Sequence, residues 1–122
     1  DLTRPNQATA NRVVGDVSGR TAVIVDDLID TAGTICGAVR IVLEAGAKDV
    51  IVAATHGVLS DPATQRLRES GLRELVVTDT LPIGPEKRFP AMTVLPIAPV
   101  LARAIDEVFE DGSVTSLFDG AY

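Results

Sequence analysis

The chain has 122 residues, of which 46% are hydrophobic, and this is enough for one compact domain with a core. Its formal net charge of −6 argues against binding to the phosphate backbone of nucleic acids, and no apolar run approaches the roughly 20 residues of a membrane-spanning helix. The single cysteine, Cys36, excludes an intrachain disulfide and a cysteine-rich zinc site, and we interpret it as a small core residue. We therefore expect one domain over residues 1–122, in a cytoplasmic protein that binds neither nucleic acid nor membranes.

Strand and helix patterns alternate along the chain. The first strand is predicted over residues 21–25 (TAVIV), and apolar residues then recur at helical spacing from Ile35 to Leu43. The same criteria predict further strands over residues 50–55, 74–78 and 92–96, and further helices between Asp61 and Gly71 and before Gly112. Apolar strands separated by helices indicate an α/β domain, with a doubly wound, mostly parallel sheet and helices on both faces. Ligands of such sheets bind beyond the carboxyl ends of the strands.

Three carboxylates follow the first predicted strand within five residues: Asp26, Asp27 and Asp30. A structural interpretation is available, because an Asp or Thr at a strand end often caps the next helix, as Asp30 or Thr31 could do here. Three carboxylates at one turn repel each other, however, and a hydroxylated ligand, a cation or a metal would relieve that repulsion. We therefore favour a binding site.

The next four residues, Thr31, Ala32, Gly33 and Thr34, are small and open a predicted helix. Successive backbone N–H groups at a helix N-terminus, together with two hydroxyls, are typical of a phosphate site. A ligand with hydroxyls at one end and a phosphate at the other matches the whole turn. The residues thus predict a sugar phosphate.

The stretch VIVDDLIDTAGT resembles the phosphoribosyl pyrophosphate signature of type I phosphoribosyltransferases. Other segments resemble the second half of ribose-phosphate pyrophosphokinases, and the similarity covers essentially the whole chain. These segments are GDV (15–17), ATHG (54–57), TDTLP (78–82) and GSVTSLF (112–118).

This resemblance implies that the protein takes part in nucleotide biosynthesis. Ribose-phosphate pyrophosphokinases transfer the diphosphoryl group of ATP to ribose 5-phosphate with Mg²⁺, giving phosphoribosyl pyrophosphate and AMP. By resemblance, Asp26 and Asp27 face the ribose hydroxyls and are candidate metal ligands. The 5-phosphate is held by Asp30, Thr31, Ala32, Gly33 and Thr34.

The N-terminal half of that family carries ATP-binding residues and a basic catalytic loop, and nothing in this chain matches them. The resemblance therefore implies a C-terminal domain that holds the ribose 5-phosphate site, contains no catalytic residue and is inactive alone. Arg4 has no clear counterpart in the basic loop, and we assign it no role.

The C-terminal segment carries a second expectation. As an ordinary tail it would pack Phe118 on the core. By resemblance to the bacterial enzymes, Ser113, Thr115 and Phe118 instead form part of a regulatory site for ADP or phosphate at a subunit interface. This implies a homo-oligomer, a hexamer in that family.

Two other functions stay open. A salvage phosphoribosyltransferase would share the acidic signature, and a non-catalytic, synthetase-associated regulatory protein would keep the fold without the chemistry.

His56, the only histidine, follows a predicted buried strand. We interpret it as a hydrogen-bonded residue at a strand end rather than an acid–base group.

Overall fold

The computed structural model describes residues 15–110, in which strands and helices alternate. The strands are β1 (Thr21–Ile29), β2 (Asp49–Gly57), β3 (Glu74–Thr78) and β4 (Met92–Leu95). The helices are α1 (Gly33–Glu44), α2 (Ala63–Glu69) and α3 (Ala98–Phe109), with a 3₁₀ turn at Pro85–Lys87. Every strand and helix predicted within these residues is present. The first strand is longer than predicted, because its pairing with β2 continues to Ile29 opposite Gly57.

The four strands form one parallel sheet in the order β1-β2-β3-β4, which confirms the predicted α/β class. In this order every crossover steps in the same direction, and right-handed crossovers then place α1 and α2 on the same face. Between residues 15 and 110 the strand order does not reverse, so the described part lacks the switch point that a doubly wound sheet would have.

The hydrophobic core lies between the sheet and these two helices. Alternate residues of the central strands point into it, because successive side chains of a strand face opposite sides. Its fully buried members from the strands are Val50, Val52, Leu75 and Val77, and those from the helices are Val39, Ala63 and Leu67. This core fixes the end of β1 against the start of α1.

The other face of the sheet has little cover within the described residues. Val23 and Val25 of β1 are 59% and 76% exposed. Helix α3 has the predicted apolar stripe but no buried residue, and Phe109 near its end is 87% exposed. Of the helices in this part of the chain, none combines the length and the apolar character that crossing a bilayer requires.

Candidate functional site

An open cleft of about 510 Å³ lies where β1 leads into α1. One continuous stretch, residues 26–35, lines it, and a cleft of this size suits a small ligand. The structure thus brings all the predicted substrate-binding residues to one place. They are Asp26, Asp27, Asp30, Thr31, Ala32, Gly33 and Thr34.

The first two carboxylates lie differently from the prediction. Asp26 and Asp27 were expected just beyond the strand, but β1 continues through both of them to Ile29. Both side chains are exposed, and both residues line the cleft. The Oδ1 atom of Asp26 accepts a hydrogen bond of 2.8 Å from the backbone N–H of Asp27. Two exposed carboxyl groups at the end of β1 therefore line the cleft.

The backbone turn before α1 has an unusual conformation at Ala32. Its φ of 69° and ψ of 8° are left-handed, a region in which a residue with a side chain is strained. Ala32 is the N-cap of α1, and no side chain in residues 15–110 caps the helix by a hydrogen bond. The alternative in which Asp30 or Thr31 caps α1 is therefore wrong. The first N–H groups of α1 are left without a side-chain partner, as an anion site requires.

The environment of Gly33 includes a residue that the sequence did not indicate. A Cβ atom built on Gly33 would lie 3.3 Å from Nη1 of Arg66 on α2. That Nη1 atom donates a hydrogen bond of 3.1 Å to the carbonyl oxygen of Thr31. We attributed Gly33 to the close approach of an anion, and the structure adds the guanidinium group as a second neighbour. No sequence signal marks Arg66, because it is 35 positions from Thr31.

His56 lies near the end of β2 but does not line the cleft. Its Nδ1 atom is 2.7 Å from the hydroxyl of Thr80. That hydroxyl donates to the carbonyl oxygen of Thr55 at 3.3 Å, and the hydroxyl of Thr78 donates to the same oxygen at 2.6 Å. His56 thus joins the ends of β2 and β3 through a side-chain hydroxyl.

Cys36, in the first turns of α1, is half-buried and packs against the core. Burial raises the pKa of its thiol, and the positive charge of Arg66 and a hydrogen bond with Ser70 offset part of that rise. A thiol with a raised pKa is mostly protonated at neutral pH and is a poor nucleophile. The interpretation of Cys36 as a packing residue is consistent with this environment.

Asp26 and Asp27 are the candidate ligands for magnesium. Residues 15–110 contain no group of three or more His, Cys, Asp or Glu side chains that could hold a metal alone. Magnesium commonly binds proteins through one or two carboxylates together with substrate phosphates and water, and the exposed Asp26 and Asp27 can supply such ligands.

The regulatory candidates Ser113, Thr115 and Phe118, and also Arg4, lie outside the described residues.

Comparison with known proteins identifies the family. A family model described as phosphoribosyl synthetase-associated domain matches residues 3–119, nearly the whole chain. The chain belongs to this family. Its curated relatives include ribose-phosphate pyrophosphokinases from Mycobacterium tuberculosis (strain ATCC 25618 / H37Rv), 67% identical over 116 residues, and from Bifidobacterium longum, 66% identical over 119 residues. These alignments cover 95% and 98% of this chain.

Among solved structures, phosphoribosylpyrophosphate synthetase from Mycobacterium smegmatis matches with a TM-score of 0.80 and 64% sequence identity. The match covers 87% of this chain and 36% of that protein. The curated relatives are likewise longer, since the chain spans 36% and 35% of the two described above. The comparisons support membership of this phosphoribosyl synthetase family but do not support the narrower prediction that the chain is a C-terminal domain.

Proposed function

We propose that the cleft lined by residues 26–35 binds ribose 5-phosphate, as the sugar-phosphate site of a ribose-phosphate pyrophosphokinase. The observation that carries the proposal is the combination of exposed carboxylates and an uncapped helix N-terminus in one cleft. Carboxylates accept hydrogen bonds from sugar hydroxyls, whereas backbone N–H groups and threonine hydroxyls donate to a phosphate. The identity of 67% to a pyrophosphokinase of which this chain spans 36% adds support.

In this role Asp26 and Asp27 orient the ribose, and the turn from Asp30 to Thr34 holds the 5-phosphate. The 1-hydroxyl oxygen of ribose 5-phosphate attacks the β-phosphorus of ATP. The bond between that phosphorus and the α,β-bridging oxygen breaks, AMP leaves and the hydroxyl proton passes to solvent. Magnesium, when bound with the phosphates, neutralises part of their charge. The ATP-binding groups belong to the rest of the complete protein, and ADP regulation and assembly into a homo-oligomer are part of the same proposal.

The family description gives specific support to a second candidate. The family model is named for a synthetase-associated domain, which also suits a non-catalytic partner that keeps the sugar-phosphate site. Formation of phosphoribosyl pyrophosphate from ATP, Mg²⁺ and ribose 5-phosphate by the complete protein distinguishes the two. Production of AMP at a steady rate supports the enzyme, whereas binding without AMP supports the associated protein.

Calorimetric titration of the complete protein with ribose 5-phosphate tests the site itself. Thr34→Val removes one hydroxyl from the turn, and we expect an affinity about tenfold lower, because a hydrogen bond to a charged group contributes about 1.5–3 kcal/mol. Thr93→Val is the matched control, since Thr93 is exposed on β4 and bonds to Glu74 instead. If both variants bind as the parent does, the phosphate is not held at this turn.

A further inference from the structure

Arg66 lies against the backbone of the turn and makes one hydrogen bond with it. Its Nη1 atom donates to the carbonyl oxygen of Thr31 at 3.1 Å, and a Cβ atom on Gly33 would lie 3.3 Å from the same nitrogen. The guanidinium group therefore lies against the stretch that joins β1 to α1. Arg66 is not among the residues that line the cleft.

The hydrogen bond to Thr31 fixes the direction of a neighbouring N–H group. The carbonyl of Thr31 and the N–H of Ala32 belong to one planar trans peptide, in which C=O and N–H point in opposite directions. Holding the carbonyl toward Arg66 therefore aims the N–H of Ala32 away from Arg66. Ala32 has left-handed backbone angles, which an unsupported turn would abandon readily, because they are strained in a residue with a side chain.

The charge of Arg66 also acts on this turn. Asp26, Asp27 and Asp30 give the cleft an excess of negative charge, which opposes the binding of a phosphate. The field of Arg66 reaches the start of α1, since it offsets part of the rise that burial causes in the pKa of Cys36. A guanidinium group beside the turn thus reduces the repulsion between the carboxylates and an incoming phosphate.

We propose that Arg66 is a positioning residue for the phosphate of the sugar phosphate. It holds the Thr31 carbonyl so that the N–H group of Ala32 faces the ligand, and it supplies positive charge without contacting the ligand. This inference rests on the proposed function of the cleft. It assigns a functional role to a residue of α2, an element that the acidic signature does not include.

Three substitutions separate the parts of this role. Arg66→Lys keeps the charge and one donor, Arg66→Gln keeps a donor without the charge, and Arg66→Met removes both. Arg68→Met is the matched control, because Arg68 is exposed on the same helix and, among the described contacts, makes none with the turn. Each variant of the complete protein is titrated with ribose 5-phosphate and with ribose, and its thermal unfolding is recorded.

We expect Arg66→Met to weaken ribose 5-phosphate binding about tenfold, in line with one lost charge-assisted hydrogen bond. Arg66→Lys and Arg66→Gln each keep part of the interaction and should weaken binding about threefold. Binding of ribose should change less than twofold, since ribose carries no phosphate. In the enzyme assay the KM for ribose 5-phosphate should rise while kcat and the KM for ATP stay within about twofold of the parent values. Arg68→Met should match the parent in every measurement.

Equal losses for ribose and ribose 5-phosphate would show that Arg66 only stabilises the fold locally, and unchanged affinities in all three variants would also overturn the proposal. If Arg66→Met does not fold, the comparison of the Lys and Gln variants with the parent decides in the same way. A parent protein that does not bind ribose 5-phosphate at all contradicts the proposed function instead, so the two failures are distinguishable.

Discussion

Two strand-to-helix turns of this domain share an uncommon backbone conformation, yet their surroundings differ. The turn after β1 contains Ala32 with a φ of 69°, and the turn after β2 contains Leu59 with a φ of 54°. Both values are left-handed in residues that carry a side chain. The first turn opens to a cleft, whereas the second is closed by packing.

Leu59 has a clear structural compensation for its strained angle. Its side chain is 1% exposed, and burying a leucine contributes about 1.5–3 kcal/mol, enough to offset the left-handed conformation. The N–H groups of Val58 and Leu59 also both donate to the carbonyl oxygen of Ile29, at 3.0 and 3.1 Å. This turn ties the end of β2 to the end of β1.

Ala32 has a smaller compensation. It buries only a methyl group, which contributes about 0.8 kcal/mol against a cost of about 1–2 kcal/mol. The same conformation is thus explained by packing in one turn and only partly in the other. Strain without full structural compensation is common at binding sites, and the comparison therefore supports a functional role for the first turn.

The largest effect that we expect is on stability at the second turn. Leu59→Ala should lower the free energy of unfolding by about 2–5 kcal/mol, because it leaves a cavity in the core. Leu81→Ala is the control, since Leu81 is 38% exposed and should lose much less. Chemical denaturation of both variants measures this difference. If Leu59→Ala and Leu81→Ala lose equal amounts of stability, packing does not explain the strained angle of Leu59.

At the first turn we expect an effect on binding rather than on stability. Ala32→Gly relieves the strain but removes a buried methyl and adds flexibility, so the free energy of unfolding should change by less than about 1 kcal/mol. The affinity for ribose 5-phosphate should fall about threefold to tenfold, because a looser turn must be ordered by the ligand.

Ala45→Gly provides the contrast for this variant. Ala45 lies at the other end of α1 with an ordinary φ of −76° and an exposed side chain. The Ala45→Gly variant should lose less than about 1 kcal/mol of stability and keep the parent affinity. Calorimetry and denaturation of the pair test this expectation, and it is contradicted if Ala32→Gly loses stability while binding normally.

The smallest effect that we expect is on the free energy of unfolding at acid pH. It distinguishes a carboxylate at the start of β2 from a carboxylate at the cleft. The neighbouring hydroxyl of Thr21 lowers the pKa of Asp49, at the start of β2, and Arg73, whose Nη1 atom lies 3.1 Å from Oδ2 of Asp49, lowers it further against the opposing effect of burial. A lowered folded-state pKa contributes stability above the unfolded pKa, and this contribution is lost as the pH falls through the folded pKa. Asp49→Asn should therefore be slightly less stable than the parent at pH 7, and the difference should vanish in strong acid.

Asp27→Asn, at the cleft, should instead weaken ribose 5-phosphate binding and leave stability nearly unchanged. Unfolding midpoints recorded from pH 2 to pH 8 and titrations at pH 7 separate the two carboxylates. A stability difference for Asp49→Asn that does not depend on pH would assign the contribution of Asp49 to something other than its charge.

The sequence alone predicts the parallel α/β class, because its apolar residues recur at strand and helix spacing. It also predicts the stretch that lines the cleft, because Asp, Thr and Gly lie next to each other there. It could not show that Asp26 lies within β1, since this depends on pairing with β2 opposite Ala54. The left-handed angle of Ala32 was hidden, because alanine does not mark such a position as glycine would. Arg66 was missed because tertiary folding alone brings α2 to the turn.

The side chains around His56 extend the connection between β2 and β3 beyond the last parallel pair of these strands, Ala54 and Val77. The Nδ1 atom of His56 lies 2.7 Å from the hydroxyl of Thr80, and the hydroxyls of Thr78 and Thr80 both lie within hydrogen-bond distance of the carbonyl oxygen of Thr55. Side-chain hydrogen bonds therefore hold the carboxyl ends of the two strands together where the regular backbone ladder stops.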